Sequence, residues 1–178
     1  MIFDKNWTLF LDRDGVINKR NFDGYITNAS DFEFLPLALN AFRILSDVFG
    51  KIVVVTNQQG VGKGLMSQDD LNAIHQFMVQ KIEENEGRID AVFSATNLKK
   101  AEVDNRKPNV NMALMAKDEF QEIDFEKSVM IGDTDSDILF GKNVGMKTVL
   151  IKSKEITTEN ADFEFNSLFE FAEFVKSL

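Results

Sequence analysis

Two aspartates one residue apart, Asp12 and Asp14, precede Gly15 in the stretch FLDRDGVI; three more, Asp133, Asp135 and Asp137, stand in IGDTDSD. Residues two apart in an extended segment point the same way, so Asp12 and Asp14 can address one ligand. Gly15 lets the backbone depart sharply just after them. With Asp133 added, carboxylates crowded at one site repel each other unless they are protonated or neutralised by a cation. All-oxygen ligation of this kind suits Mg²⁺, which takes one or two carboxylates, several waters and a substrate phosphate. Lys107, in RKPN, opens a predicted helix, a poor place for a cation unless an anion sits nearby. The sequence holds one histidine, His75, and no cysteine. Multi-histidine metal sites, thiolate zinc sites and cysteine nucleophiles are therefore closed and no Ser-His-Asp triad can be assumed, so chemistry is expected to run on carboxylates, lysine, hydroxyls and a hard cation.

These residues need elements to hold them. Short apolar runs recur at 7–11, 52–56, 90–94, 128–132 and 147–151, nearly continuous rather than alternating, as in strands buried on both faces of a parallel sheet. Helical spacing fills the intervals 36–49, 67–85, 108–120 and 136–145, with a last helix over 167–177. Ser67 is a candidate cap, and Gly87 a candidate stop after the long central helix. The alternation predicts an α/β fold: a three-layer, doubly wound, Rossmann-like and mainly parallel sheet. The stretch 17–35 is too polar and turn-rich for a helix and is expected to be a hairpin or flap over one end of the sheet. Ligands bind outside the carboxyl ends of strands in such sheets; Thr56 ends one predicted strand, and Asp12, Asp14, Arg106, Lys107, Asp133 and Asp137 follow others. Thr56 could cap its turn; its interest is that it would face Asp12 across neighbouring strands.

The glycine-rich VVVTNQQGVGKG (53–64) resembles a phosphate-cradling loop without fitting either nucleotide pattern. A Walker A loop would need glycine where Asn57 stands and Ser or Thr where Gly64 stands, and a dinucleotide fingerprint would need glycine in place of Leu65.

The chain has 178 residues and a formal net charge of −9, room for one domain with a real core and no basic excess for phosphate backbones. Nucleic acid is not an expected partner. No apolar run is long enough for a membrane span, and the acids near the N-terminus do not suit a signal peptide, so a cytoplasmic protein is expected. His75 is expected on a helix, at the surface or partly buried, and the seventeen phenylalanines mainly in the core.

Together FLDRDGVI, VVVTNQQGVGKG, RKPN and IGDTDSD stand in the order and spacing of the four motifs of haloacid dehalogenase-like phosphatases. The chain resembles the capless branch that holds heptose bisphosphate and histidinol-phosphate phosphatases, and the resemblance spans its whole length. It implies one HAD-like phosphatase domain over 1–178, with 17–35 as flap and no large cap. It further implies that Asp12 is the nucleophile, forming an aspartyl-phosphate, while Asp14 protonates the leaving oxygen and then deprotonates water. Mg²⁺ would be held by the Asp12 side chain, the Asp14 main-chain carbonyl and Asp133. Thr56 and Lys107 would bind the transferring phosphoryl group, Asn57 and Arg106 would orient nucleophile or substrate, and Asp137 would support Lys107 or the metal's waters.

Relatives in this branch often carry a zinc loop just before the Arg-Lys pair. Here Ala95, Asn97, Val103 and Asn105 occupy the ligand positions, so no zinc is expected and 95–106 is a replacement loop. Thr134 stands where close relatives tend to have a basic residue. The implied substrate is a small phosphorylated metabolite, foremost D-glycero-D-manno-heptose 1,7-bisphosphate losing its 7-phosphate, and the expected state is a monomer. Histidinol phosphate and a polynucleotide 3′-phosphate remain alternatives. A phosphoacceptor signalling domain is the non-enzyme alternative, though its acids and lysine would come in a different order.

Overall fold

The structure is a computed structural model that describes residues 2–99, 102 and 104–178. Its strands are β1 (Thr8–Leu11), β2 (Lys51–Asn57), β3 (Ala91–Ala95), β4 (Ser128–Gly132), β5 (Lys147–Ile151) and β6 (Phe163–Phe165). All are parallel, in the order β3-β2-β1-β4-β5-β6. The helices are α1 (Ala38–Val48), α2 (Gln59–Gly62), α3 (Gln68–Glu83), α4 (Asn111–Glu119), α5 (Asp135–Val144) and α6 (Leu168–Lys176). The five predicted strands and five predicted helices are present. The short edge strand β6 and the one-turn helix α2 are additions that sequence patterning did not reach. Among the described residues no helix is long and apolar enough to cross a membrane.

Side-chain alternation divides the core into two layers. Leu9, Leu11, Ile52, Val54, Val129 and Ile131 join one cluster, which also takes its apolar residues from α1, α3 and α6. Phe10, Val53, Val55 and Met130 join a second cluster with residues of α4 and α5. That alternation explains the unbroken apolar strands, since both faces are buried. At the C-terminus, Phe171 of α6 meets Phe3, Phe49 and Phe165 at ring separations of 6.2, 6.5 and 5.6 Å. The final helix is thus an internal docking element.

Two features place the site. The chain winds outward in both directions from β1, so the crevice between β1 and β4 is the topological switch point where open α/β sheets bind ligands. Asp12 leaves β1 and Asp133 leaves β4 at that crevice, and the Asp12 amide donates to the Ile131 carbonyl at 2.9 Å. The flap is anchored at its base, where Lys19 donates to the Glu33 carbonyl and Leu35 to the Ile17 carbonyl, at 2.8 and 2.9 Å. Its interior holds a single 3₁₀ turn, Ala29–Asp31, and no extended hairpin ladder.

Gly60 and Gly62 serve close packing, whereas Gly64 takes a positive φ of 68° in open space. A Cβ at Gly62 would lie 2.4 Å from the Thr96 carbonyl oxygen, so only glycine lets α2 approach the segment after β3.

Candidate active site

Carrying the β1 alternation past its end sends Asp12 to the α4/α5 side and Arg13 to the α1/α3 side. Lys107, just before α4, meets Asp12 there. Its Nζ stands 2.8 Å from Asp12 Oδ1, 2.6 Å from Asp137 Oδ1 and 2.7 Å from the Val55 carbonyl. One hydrogen bond and two ion pairs thus surround an ammonium buried to 4% exposure. Burial alone would drive the lysine toward neutrality, but the charges of Asp12 and Asp137 overcome it and raise its pKa. The other Asp137 oxygen accepts from the Thr134 amide and hydroxyl at 3.1 and 2.6 Å. Thr134 therefore caps α5 and fixes Asp137.

Asp14 is held differently. Asn18 Nδ2 and Arg13 Nη2 donate to its Oδ1 at 2.9 and 3.0 Å, and Gln58 Nε2 donates to its Oδ2 at 2.7 Å. Burial pushes its pKa up, but Arg13 and these hydrogen bonds outweigh that and bring it below the ordinary carboxylate value. Gln58 also donates to the Thr56 hydroxyl at 2.9 Å, which ties Thr56 to Asp14 through one amide. Asn57 lines the cavity, and its amide grips the Lys107 peptide on both sides, accepting from the Lys107 amide at 2.9 Å and donating to its carbonyl at 3.2 Å. Arg106 also lines the cavity and has a buried Nε without a hydrogen-bond partner.

Asp133 lies beneath the cavity, and neither of its buried carboxylate oxygens has a hydrogen-bond partner. Its nearest cation is Arg20 of the flap, with Nη1 3.5 Å from Oδ2 and 3.3 Å from Glu155 Oε1. Burial, followed by the charges of Asp12 and Asp137, lifts the Asp133 pKa to about 7 against the pull of Arg20. Burial likewise lifts Asp12 to about 6 against the pull of Lys107. Carboxylate oxygens of Asp12, Asp133 and Asp137 come within 4.8 Å of one another. An orphaned buried carboxylate in a hard-oxygen cluster fits a divalent cation such as Mg²⁺. Since Lys107 and Thr134 already claim both Asp137 oxygens, Asp12 and Asp133 are the carboxylates left to hold it. The Asp14 side chain is engaged elsewhere, which leaves only its main chain for such a role.

The cavity above these groups has a volume of about 290 Å³, and the flap closes one side of it with Arg20, Phe22 and Tyr25. Sequence reasoning missed Arg13, Arg20, Gln58 and Glu155. Arg13 carried a signal, since an arginine between two functional aspartates cannot be free of them; the other three carried none.

Within 95–106, Lys100, Ala101 and Val103 lie outside the described residues, Val103 being one of the four positions where the resemblance would put a zinc ligand. Asn97 Nδ2 donates to Asp104 Oδ1 at 3.0 Å, the Asn105 amide donates to Asn97 Oδ1 at 3.4 Å, and Asn111 Nδ2 donates to Asn105 Oδ1 at 2.6 Å. Amide side chains thus knit together the described ends of this segment.

A family model described as "HAD-hyrolase-like" matches residues 105–171. Over 170 residues the chain is 36% identical to the D-glycero-alpha-D-manno-heptose-1,7-bisphosphate 7-phosphatase of Mycobacterium tuberculosis, covering 93% of this chain and 90% of that one. The chain belongs to the HAD-like phosphatases. It is also 31% identical over 180 residues to the D-glycero-beta-D-manno-heptose-1,7-bisphosphate 7-phosphatase of Escherichia coli K12, covering 94% of this chain and 93% of that one. Its fold matches the crystal structure of D,D-heptose 1,7-bisphosphate phosphatase from B. bronchiseptica, complexed with magnesium and phosphate, with a TM-score of 0.86 at 24% identity. That match covers 96% of this chain and 98% of the other. Among HAD-like phosphatases, then, this chain resembles enzymes named for both anomers of one sugar bisphosphate.

Proposed function

We propose that this HAD-like phosphatase is a Mg²⁺-dependent phosphomonoester hydrolase that removes the 7-phosphate of D-glycero-D-manno-heptose 1,7-bisphosphate through an aspartyl-phosphate on Asp12. The observation that carries the reading is the buried Lys107 joining Asp12 to Asp137, 2.8 and 2.6 Å away, beside an Asp133 whose buried oxygens have no hydrogen-bond partner. A carboxylate in that setting is positioned by a cation and screened from bulk water. The identity of 36% over 93% of the chain supports the substrate. A cavity of about 290 Å³ suits a small phosphorylated metabolite.

An Asp12 carboxylate oxygen attacks phosphorus while the bond to the leaving oxygen breaks. Asp14 gives that oxygen a proton, then takes one from the water that cleaves the aspartyl-phosphate, so its protonation is restored in each cycle. Asp14 is anionic in the free protein, and an anionic phosphate arriving beside it raises its proton affinity before it acts as the acid. Lys107 and Thr56 balance charge on the other phosphoryl oxygens, Arg106 and Asn57 set the approach of substrate and the Lys107 backbone, and Asp137 orients Lys107. Asp12, Asp133 and the Asp14 main-chain carbonyl would hold Mg²⁺, which when bound neutralises phosphoryl charge.

The test is phosphate release with Mg²⁺ from both anomers of the heptose bisphosphate, histidinol phosphate and a 3′-phosphorylated oligonucleotide. A preference of about 10²-fold or more in kcat/KM for one heptose anomer is expected. A flat profile, or a preference for either other substrate, overturns the substrate and leaves the phosphatase chemistry.

A further inference from the structure

Arg13 heads the largest fully buried side chains in the protein, an unusual place for a permanent charge. One end of its guanidinium belongs to Asp14, with Nη2 2.9 Å from Oδ2 and 3.0 Å from Oδ1. At the other end Nη1 lies 3.3 Å from Nε2 of His75, on α3. Phe32 of the flap covers the guanidinium at 5.9 Å, and Phe32 packs edge-on against Phe77 of α3 at 6.0 Å. Arg13 Nε has no partner. The orientation of the group is therefore set by Asp14 and His75, with aromatic walls limiting its tilt.

An arginine can only donate, so His75 Nε2 must carry the lone pair and the ring proton must sit on Nδ1. Burial, then the Arg13 charge, pushes the His75 pKa down to about 4, which keeps the ring neutral and able to accept. Without that acceptor, Nη1 would be a buried donor with no partner, and the guanidinium would turn to find one. Asp14 would turn with it, because Arg13 touches both of its oxygens.

We propose that His75 is a positioning residue for the proton shuttle, acting through Arg13 to fix the Asp14 carboxylate beside Asp12. This inference rests on Asp14 being the proton donor of the proposed function. It assigns a use to a histidine that makes no contact with the cavity.

The experiment compares kcat/KM for an alkyl sugar phosphate with kcat/KM for p-nitrophenyl phosphate, whose leaving group needs no proton. His75→Phe removes the acceptor, His75→Gln restores one through its amide oxygen, and Asp14→Asn is the reference. His75→Phe is expected to lower kcat/KM for the alkyl phosphate by about 30-fold while p-nitrophenyl phosphate falls by less than about 3-fold. His75→Gln is expected to stay within about 3-fold of wild type on both. Equal losses on both substrates in His75→Phe would show a general structural defect and overturn the proposal. So would an indifferent His75→Phe beside an Asp14→Asn that has lost alkyl-phosphate turnover. Full alkyl-phosphate activity in Asp14→Asn would overturn the shuttle role of Asp14 itself, and the relay with it.

Discussion

Gly15 lies against the Asp133 carboxylate so closely that a Cβ at position 15 would stand 2.2 Å from Asp133 Oδ2, and its φ of +92° already favours glycine. The turn after β1 and the acid after β4 therefore occupy one volume. Gly15→Ala is expected to destabilise the fold by about 2 kcal/mol or more and to weaken Mg²⁺ binding, because Asp133 must move aside. Urea unfolding and a calorimetric metal titration check the two effects separately.

Asp12→Asn removes the proposed nucleophile but leaves an oxygen that can still accept from Lys107. Turnover is expected to fall by at least about 10³-fold, roughly 4 kcal/mol of barrier, with little change in melting temperature. Steady-state phosphate release measures the first effect, and near-wild-type activity would sink the covalent mechanism.

Lys107→Met leaves Asp12 and Asp137 facing each other in the interior with no cation between them. Breaking a buried ion pair by deleting one partner is costly, so a loss of about 3–5 kcal/mol is expected in metal-free protein. Chemical denaturation in the presence of a chelator gives the number. A loss below about 1 kcal/mol, as for surface pairs, would mean that the interior is far more polar than the contacts imply.

His75 predicts an acid sensitivity. Its pKa falls from 6.5 to about 4 on folding, so between those values the unfolded chain binds more protons and stability is lost as pH falls. The contribution is fully present at neutral pH and should shrink by about 2 kcal/mol by pH 5. Asp12 and Asp133 titrate with the opposite sign, so the informative quantity is the difference between wild type and His75→Gln across this range. An identical pH dependence in both proteins would refute it.

Activity is expected to vanish when a general chelator removes Mg²⁺ and to return when Mg²⁺ is restored. A zinc-selective chelator is expected to leave it untouched, since Asn97 and Asn105 stand in ligand positions and are joined by hydrogen bonds to each other and to Asp104 and Asn111. Loss of activity with the zinc-selective reagent alone would reverse this.

Much of the site was legible because its residues sit at strand ends, and strand ends are announced locally by apolar runs that stop. Asp12, Thr56 and Asp133 entered the candidate site that way, and Lys107 by its place before a predicted helix, which in the structure begins at Asn111. Arg20 and Glu155 gave no such notice. They lie in the flap and in the segment between β5 and β6, and the chain of contacts by which Glu155 meets Arg20 and Arg20 meets Asp133 depends on how two irregular stretches settle over the sheet edge. The edge strand β6, with only three residues, is shorter than any periodicity can register.

Local pattern was enough for the alternation of strands and helices, the acids after β1 and β4, and the failure of the glycine-rich stretch as a nucleotide loop. Those are properties of neighbours along the chain. Tertiary structure alone decided which partner each charge received. Arg13 reaches His75 across 62 positions, and Lys107 reaches Val55 across 52. Such pairings follow from the strand order and from which face each residue takes as β1 ends. Asp12 turned one way to meet the lysine, Arg13 the other way to meet the histidine, and only the folded sheet places both partners within reach.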